Sequence, residues 1–101
     1  MNTLDVTFVH IYLTEGEGVL QRVLECLHDE EKVHGVTVFR GICGFGKSGK
    51  MHSSSLLDLS LDLPLVIEFF DTPEKVKDIL EHIRKYIQPG HIVSWPATLT
   101  L

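Results

Sequence analysis

The strongest constraint on the fold comes from two segments whose apolar residues lie on both sides of an extended chain. Segment 4–14 reads LDVTFVHIYLT and segment 61–71 reads LDLPLVIEFFD. The apolar residues of the first form two alternating sets, Val6, Phe8, Tyr12 and Val9, Ile11, Leu13. Those of the second are Leu65, Ile67, Phe69 and Val66, Phe70. Both segments are predicted as strands, and each needs cover on two faces.

Between these strands the sequence predicts one helix and one further strand. Thr14 and Glu17 fit a capping box, which predicts a helix over 17–33. Gly35 ends it, and Val36–Ile42 is predicted as the second strand. The apolar residues at helical spacing are Val19, Leu20, Val23, Leu24 and Leu27.

After the third strand the pattern predicts a second helix and a last strand. Pro64 places the third strand at an edge, a strand start or a bulge. Thr72–Glu74 is typical of a helix start with proline in the first turn, and Pro89–Gly90 ends that helix. His91–Leu101 is predicted as a short strand interrupted by Pro96. The apolar face of the helix consists of Val76, Ile79, Leu80, Ile83 and Ile87.

The order of elements is β-α-β-β-α-β, which predicts an α+β, ferredoxin-like sandwich. Its antiparallel sheet has four strands, with two helices on one face. All 101 residues are expected to form a single domain that buries roughly 60–68% of its unfolded surface. Two helices cannot cover both faces of the sheet. The second apolar face therefore predicts self-association.

Composition and charge narrow the classes of function. The net charge is −5, with nine Lys plus Arg against fourteen Asp plus Glu, which argues against nucleic-acid binding. No apolar run is long enough for membrane insertion. The two cysteines, Cys26 and Cys43, form no disulfide framework and are expected to act as small hydrophobes. Because the N-terminus does not resemble a signal peptide, a cytoplasmic location is expected.

The glycine-rich stretch GICGFGKSG (41–49) matches two phosphate-binding patterns, G-x-x-x-x-G-K-[ST] and G-x-G-x-x-G. Both patterns require a helix directly after the glycines, so that its N-terminus faces the phosphate. Here the glycines are followed by three serines and an extended segment, and residues 47–60 are predicted as a long, mobile loop. Neither motif is therefore expected to act by its usual mechanism. A bulged strand end and a backbone anion nest charged by Lys47 and Lys50 both stay open.

The segments GVTVFRGICGFGKSGKMH and LDLPLVIEFFDTPEKVKDILEHI resemble the PII-like superfamily, that of the nitrogen regulatory protein. The chain is most similar to the uncharacterised domain-of-unknown-function family within it. The resemblance covers nearly the whole chain. It implies a regulatory homotrimer that binds nucleotides between subunits and contacts an unidentified protein partner through a T-loop, here about 47–60.

The resemblance also implies the ligand residues. Gly44, Phe45, Gly46, Lys47 and Ser48 would line an adenine-nucleotide cleft. Gly49 and Lys50 would begin the mobile loop, and Gly90 would take the place of the glycine-rich B-loop. The chain departs from PII proteins in having only QPGHI after the second helix, no C-terminal arginines and no loop tyrosine. These departures favour a ligand with few phosphates, such as AMP, ADP or a cyclic nucleotide.

The sequence gives weaker support for metal binding and for catalysis. The six histidines show no metal-ligand spacing, so no metal site is expected, and no catalytic residues or enzyme activity are expected either. Glu68 within the third strand is expected to face a solvated edge or to pair with Arg40 across a trimer interface. The alternative function is a constitutive trimeric interaction or metal-tolerance module, similar to the copper-tolerance trimers, without nucleotide.

Overall fold

A computed structural model describes residues 2–46, 48–53 and 63–101. The main sheet has the order β2-β5-β1-β6 with every neighbouring pair antiparallel, and both helices pack on one face of it. The ferredoxin-like α+β fold predicted from the sequence is confirmed. The elements are β1 (Thr3–Thr14), α1 (Leu20–Glu25), β2 (Val36–Arg40), β3 (Cys43–Phe45), β4 (Met51–Ser53), β5 (Pro64–Asp71), α2 (Pro73–Ile83) and β6 (Ile92–Thr100).

The first helix is shorter than the predicted 17–33. The capping box forms, and the Thr14 N–H donates to Glu17 Oε1 at 3.0 Å, but it caps only a 3-10 turn. Gly18 follows that turn with φ +70°, a left-handed conformation that a right-handed helix cannot continue. Helix α1 therefore starts after this break, and a π-turn over Cys26–Glu30 extends it.

The two prolines predicted to limit strands take different positions in the sheet. Pro64 begins β5, one of the places predicted for it. The prediction that Pro96 interrupts the last strand is wrong, because β6 pairs with β1 without a break from Ile92 to Thr100. Since β6 is an edge strand, a residue without an N–H donor is tolerated there.

The predicted loop 47–60 contains a strand. Met51–Ser53 pairs antiparallel with Cys43–Phe45, and the two form a second, two-stranded sheet. Strand β2 correspondingly ends at Arg40 and not at Ile42. Three-residue strands are too short to show an alternating pattern, which is why the sequence did not reveal them. Lys47 and residues 54–60 lie outside the described residues.

The core fills the face of the sheet that the helices cover. Its β1 and β5 residues are Val9, Ile11, Leu13, Leu65, Ile67 and Phe69, each 4% exposed or less. Helix α2 contributes three of its predicted apolar residues as fully buried side chains, Val76, Ile79 and Ile83. Cys26 is buried as expected, whereas Cys43 is exposed on β3, so the expectation for it is wrong. Among the described residues no helix is long and apolar enough to cross a membrane.

Candidate functional site

The candidate site lies at one end of the main sheet. The strands β1 and β2 end there, at Thr14 and Arg40, while β5 and β6 begin there, at Pro64 and Ile92. The chain leaves the sheet after Arg40 and returns to it at Pro64. The whole glycine-rich stretch therefore projects from this end.

Six of the predicted ligand residues fall in the hairpin formed by β3 and β4. Gly44 lies opposite His52 in the pairing, and the N–H of Gly49 donates to the Gly46 carbonyl at 2.9 Å. Gly49 has φ +77°, which explains a glycine at that turn position. The six residues are Gly44, Phe45, Gly46, Ser48, Gly49 and Lys50, and Lys47 lies outside the described residues.

Gly41, at the base of the hairpin, and Gly46, in its turn, differ in how much room surrounds them. A Cβ on Gly41 would lie 2.8 Å from Pro64 Cγ, and the Gly41 N–H donates to the Pro64 carbonyl at 2.7 Å. Gly41 is thus required because the chain packs closely where it leaves the sheet after Arg40 and where it returns at Pro64. A Cβ on Gly46 would meet no atom of the described residues within 4 Å. The space beside Gly46 is open to a ligand.

Gly90 lies at the same end of the sheet but at the opposite lateral edge. It has φ +86° in the turn before β6, and the Tyr12 N–H donates to the carbonyl of the next residue, His91, at 2.9 Å. Strands β2 and β6 are the two edges of the sheet, separated by three inter-strand spacings, or about 14 Å. The hairpin therefore follows one edge strand, whereas the Gly90 turn leads into the other.

An ion pair that the sequence analysis missed lies at the base of the hairpin. The Arg40 Nε contacts Glu15 Oε1, and the Glu15 side chain is only 9% exposed. These residues immediately end or follow β2 and β1, so the pair spans the start of the intervening strand β5. The sequence does contain a signal for this pair, since an acid, Glu15, follows β1 and a base, Arg40, ends β2. Because β1 and β2 run parallel, their C-terminal ends lie at the same end of the sheet.

The second face of the sheet is aromatic and uncovered by helices. The Phe8 ring stacks between those of Phe70 and Trp95, with centroid distances of 5.0 and 5.7 Å. His10 packs edge-on against Trp95 at 4.8 Å, and its Nε2 lies 2.7 Å from Glu68 Oε2. Within the protomer Glu68 therefore pairs with His10, its cross-strand neighbour. The expected pairing of Glu68 with Arg40 across a trimer interface stays a prediction.

A polar cleft separates the ends of the two helices on their outer side. His82 of α2 hydrogen-bonds Glu31, and this bond raises the pKa of His82 above its ordinary value. Burial raises the pKa of the Cys26 thiol, which lies 3.7 Å from Glu30 Oε2. Over the ranges that the structure describes, no three His, Cys, Asp or Glu side chains are grouped so as to hold a metal ion.

Comparison with known proteins identifies a family and a fold. The family model DUF190, described as Uncharacterized ACR, COG1993, matches residues 6–99. A UPF0166 protein of Aquifex aeolicus is 42% identical over 70 residues, a match that covers 69% of this chain and 66% of that relative. The chain thus matches just under two thirds of that relative's length.

Two solved structures share the fold. CPII, a nitrogen regulatory PII-like protein from Thiomonas intermedia K12 bound to ADP, AMP and bicarbonate, has a TM-score of 0.71 at 19% identity, covering 99% of this chain and 91% of CPII. The divalent ion tolerance protein CutA1 from Ehrlichia chaffeensis has a TM-score of 0.60 at 11% identity, covering 95% and 82% of the two chains. At these identities the likeness is one of fold.

Proposed function

The chain belongs to the DUF190 family, and from that membership and its PII-like fold we propose that it is a nucleotide-binding regulatory protein. It binds AMP, ADP or a cyclic adenine nucleotide beside the β3–β4 hairpin. It assembles as a homotrimer, and its 47–60 segment reports the bound state to a protein partner. The proposal is of binding and not of catalytic turnover. The cytoplasmic location expected from the sequence stays a prediction.

The observation that carries the proposal is the split arrangement of the predicted ligand residues. The hairpin follows the edge strand β2 and packs against the start of β5, whereas Gly90 precedes the opposite edge strand β6 at the same end of the sheet. The two edge strands are about 14 Å apart by strand spacing. A second copy placed against the first brings the hairpin of one copy towards the Gly90 turn of the next. The site is then completed by association, which agrees with the need for a partner on the aromatic face.

Two further observations support nucleotide binding. The fold is that of CPII, which was solved with ADP and AMP bound. Among the residues that the structure describes, no atom lies within 4 Å of a Cβ added to Gly46, so a flat base or a phosphate can approach this backbone closely.

Ligand-induced thermal stabilisation tests the proposal. AMP, ADP, ATP and cyclic AMP are each added to the wild-type chain, and one of them at ~100 times its dissociation constant should stabilise the fold by about 2.7 kcal/mol. The variant Gly46→Ala should lose this shift because its methyl group fills the space that the ligand needs. It should unfold like the wild type without ligand, since the site is open and φ is not positive.

The matched control is Gly35→Ala, which also adds a methyl group where no atom lies within 4 Å but precedes β2. It should keep the full nucleotide shift. Loss of the shift in both variants would contradict a site at the hairpin, and no shift in the wild type with any nucleotide would refute nucleotide binding.

The second candidate is the metal-tolerance or constitutive interaction module, which the likeness to CutA1 favours. Cu²⁺ and Zn²⁺ are therefore included in the same panel. Stabilisation by a metal with none by nucleotides would replace the first proposal by this one.

A further inference from the structure

We propose that Arg40 binds the phosphate of the nucleotide and that Glu15 is a positioning residue that holds Arg40 in place. The inference depends on the nucleotide binding proposed above. It assigns the phosphate contact to a side chain at the base of the hairpin and not to the hairpin tip.

The geometry of the ion pair leaves the binding edge of Arg40 free to face solvent. Arg40 meets Glu15 through Nε, while its side chain is 59% exposed. A guanidinium carries five N–H donors in a rigid fork, so contact at Nε still leaves the two Nη groups as donors. Two parallel N–H groups match two phosphate oxygens, a geometry that a lysine ammonium cannot supply.

Glu15 fixes the arginine because its own charge is buried. Its side chain is 9% exposed, and within the described residues neither carboxylate oxygen accepts a hydrogen bond, so the ion pair with Arg40 supplies its counter-charge. A buried carboxylate needs a counter-charge, so moving Arg40 away would cost free energy. The Glu15 backbone is also tied down, since its N–H donates to the Leu63 carbonyl at 3.0 Å.

The chain on the other side of Arg40 is equally constrained. Gly41 donates to the Pro64 carbonyl at 2.7 Å and packs too closely against that proline to carry a side chain. Arg40 is therefore held through its side chain and through the next residue. Such a side chain loses little conformational entropy on binding a ligand.

The position of Arg40 fits a ligand between two copies. It ends the edge strand β2, at the lateral edge that a second protomer must approach to bring its Gly90 turn to the hairpin. The adenine ring carries no charge, so Arg40 should act on the phosphate alone. Its contribution should appear in the affinity for ADP and be absent from the affinity for adenosine.

Calorimetric titration with ADP and adenosine tests this assignment. Arg40→Gln should weaken ADP binding about 10- to 100-fold, the range for hydrogen bonds to a charged group, and leave adenosine binding within about twofold. Arg84→Gln removes the same charge from an exposed arginine after α2 and should change neither affinity. Equal weakening of ADP and adenosine by Arg40→Gln would refute a phosphate contact.

The variant Glu15→Gln distinguishes a role of Glu15 in positioning Arg40 from a simple effect of its negative charge. The measurement is the affinity for ADP. Removing a negative charge beside the phosphate site should tighten ADP binding if charge alone matters. Releasing Arg40 from its orientation should instead weaken it about 5- to 20-fold, a smaller loss than removal of the arginine. Tighter or unchanged binding would therefore refute the role assigned to Glu15.

A double variant shows whether weak ADP binding by Arg40→Gln results from a disturbed fold. Arg40→Gln alone leaves a buried carboxylate unpaired, whereas Arg40→Gln with Glu15→Gln removes both charges and keeps both side-chain shapes. The double variant should fold and show the same weak ADP binding as Arg40→Gln. Wild-type affinity in the double variant would overturn this inference alone, while failure of the wild type to bind any adenine nucleotide would overturn the proposed function together with it.

Discussion

The two faces of the main sheet come from the same strands but have different chemistry. The face under the helices consists of aliphatic residues and Phe69, each 4% exposed or less on β1 and β5. The opposite face consists of stacked aromatic rings and the His10–Glu68 pair, with Tyr12 45% and Trp95 38% exposed. Aromatic residues with a polar atom are typical of the centres of protein interfaces.

The two faces should contribute to the stability of the protein in different ways. The covered face is complete within one protomer, so its packing should stabilise the chain at any concentration. The aromatic face gains its full burial only against another molecule, so its contribution should depend on association. Adjacent residues of β5 allow the two contributions to be separated, because Phe69 lies on one face and Phe70 on the other.

Removal of a large buried side chain from the covered face should have the greatest effect on the free energy of unfolding. Phe69→Ala should lower the free energy of unfolding by about 3–5 kcal/mol, because it leaves a cavity in a fully buried site. Urea unfolding at two protein concentrations should give the same loss at both. Phe70→Ala is the matched control and should cost less in dilute protein. Equal losses for the two variants at low concentration would contradict the division between the faces.

An intermediate effect is expected from Trp95, which lies on the edge strand β6 of the aromatic face. Trp95→Ala should weaken self-association by about 2 kcal/mol or more, roughly 30-fold in the dissociation constant, as for a buried aromatic hot spot. Sedimentation equilibrium measures this directly. Thr98→Ala changes an exposed residue of the same strand and should leave association unaltered. A Trp95→Ala protein that associates as tightly as the wild type would show that this face is not the interface.

The smallest effect on stability is expected from His82, on the outer side of the helices. Because the hydrogen bond to Glu31 raises the pKa of His82 above its ordinary value of about 6.5, folding favours the protonated form. This stabilisation is fully present below about pH 6.5 and is lost as pH rises through the folded-state pKa. Thermal unfolding of the wild type and His82→Gln should differ most near pH 5.5 and converge at high pH. Parallel curves would exclude the linkage.

Long elements were predictable from the sequence, and short ones were not. Strands β1 and β5 and helix α2 each repeat an apolar pattern over eight residues or more, and all three were predicted. The β3–β4 hairpin has three residues in each strand, too few to reveal a period. The start of α1 was misplaced because the capping box gives no sign that Gly18 breaks the helix after one turn.

The candidate site was predictable only in part. The glycines that mark the hairpin are visible in the sequence, and the family resemblance gave them a role. The partners of the charged residues could not be predicted from the sequence. Glu15 pairs with Arg40 across the intervening strand β5, and His10 pairs with Glu68 on the neighbouring strand. Their closeness depends on the sheet order, which a single sequence does not specify at residue level.

Three properties can be read from the sequence alone: the β-α-β-β-α-β order of the main sheet and its helices, the two-sided apolar strands, and the need for cover on a second face. These properties follow from local periodicity and from the area that two helices can bury. The meeting of Glu15 and Arg40 at the base of the hairpin, and the position of Gly90 beside the opposite edge strand, depend on the folded structure. Strand order and register set the distances between residues far apart in the chain, whereas periodicity reports only which face each residue occupies.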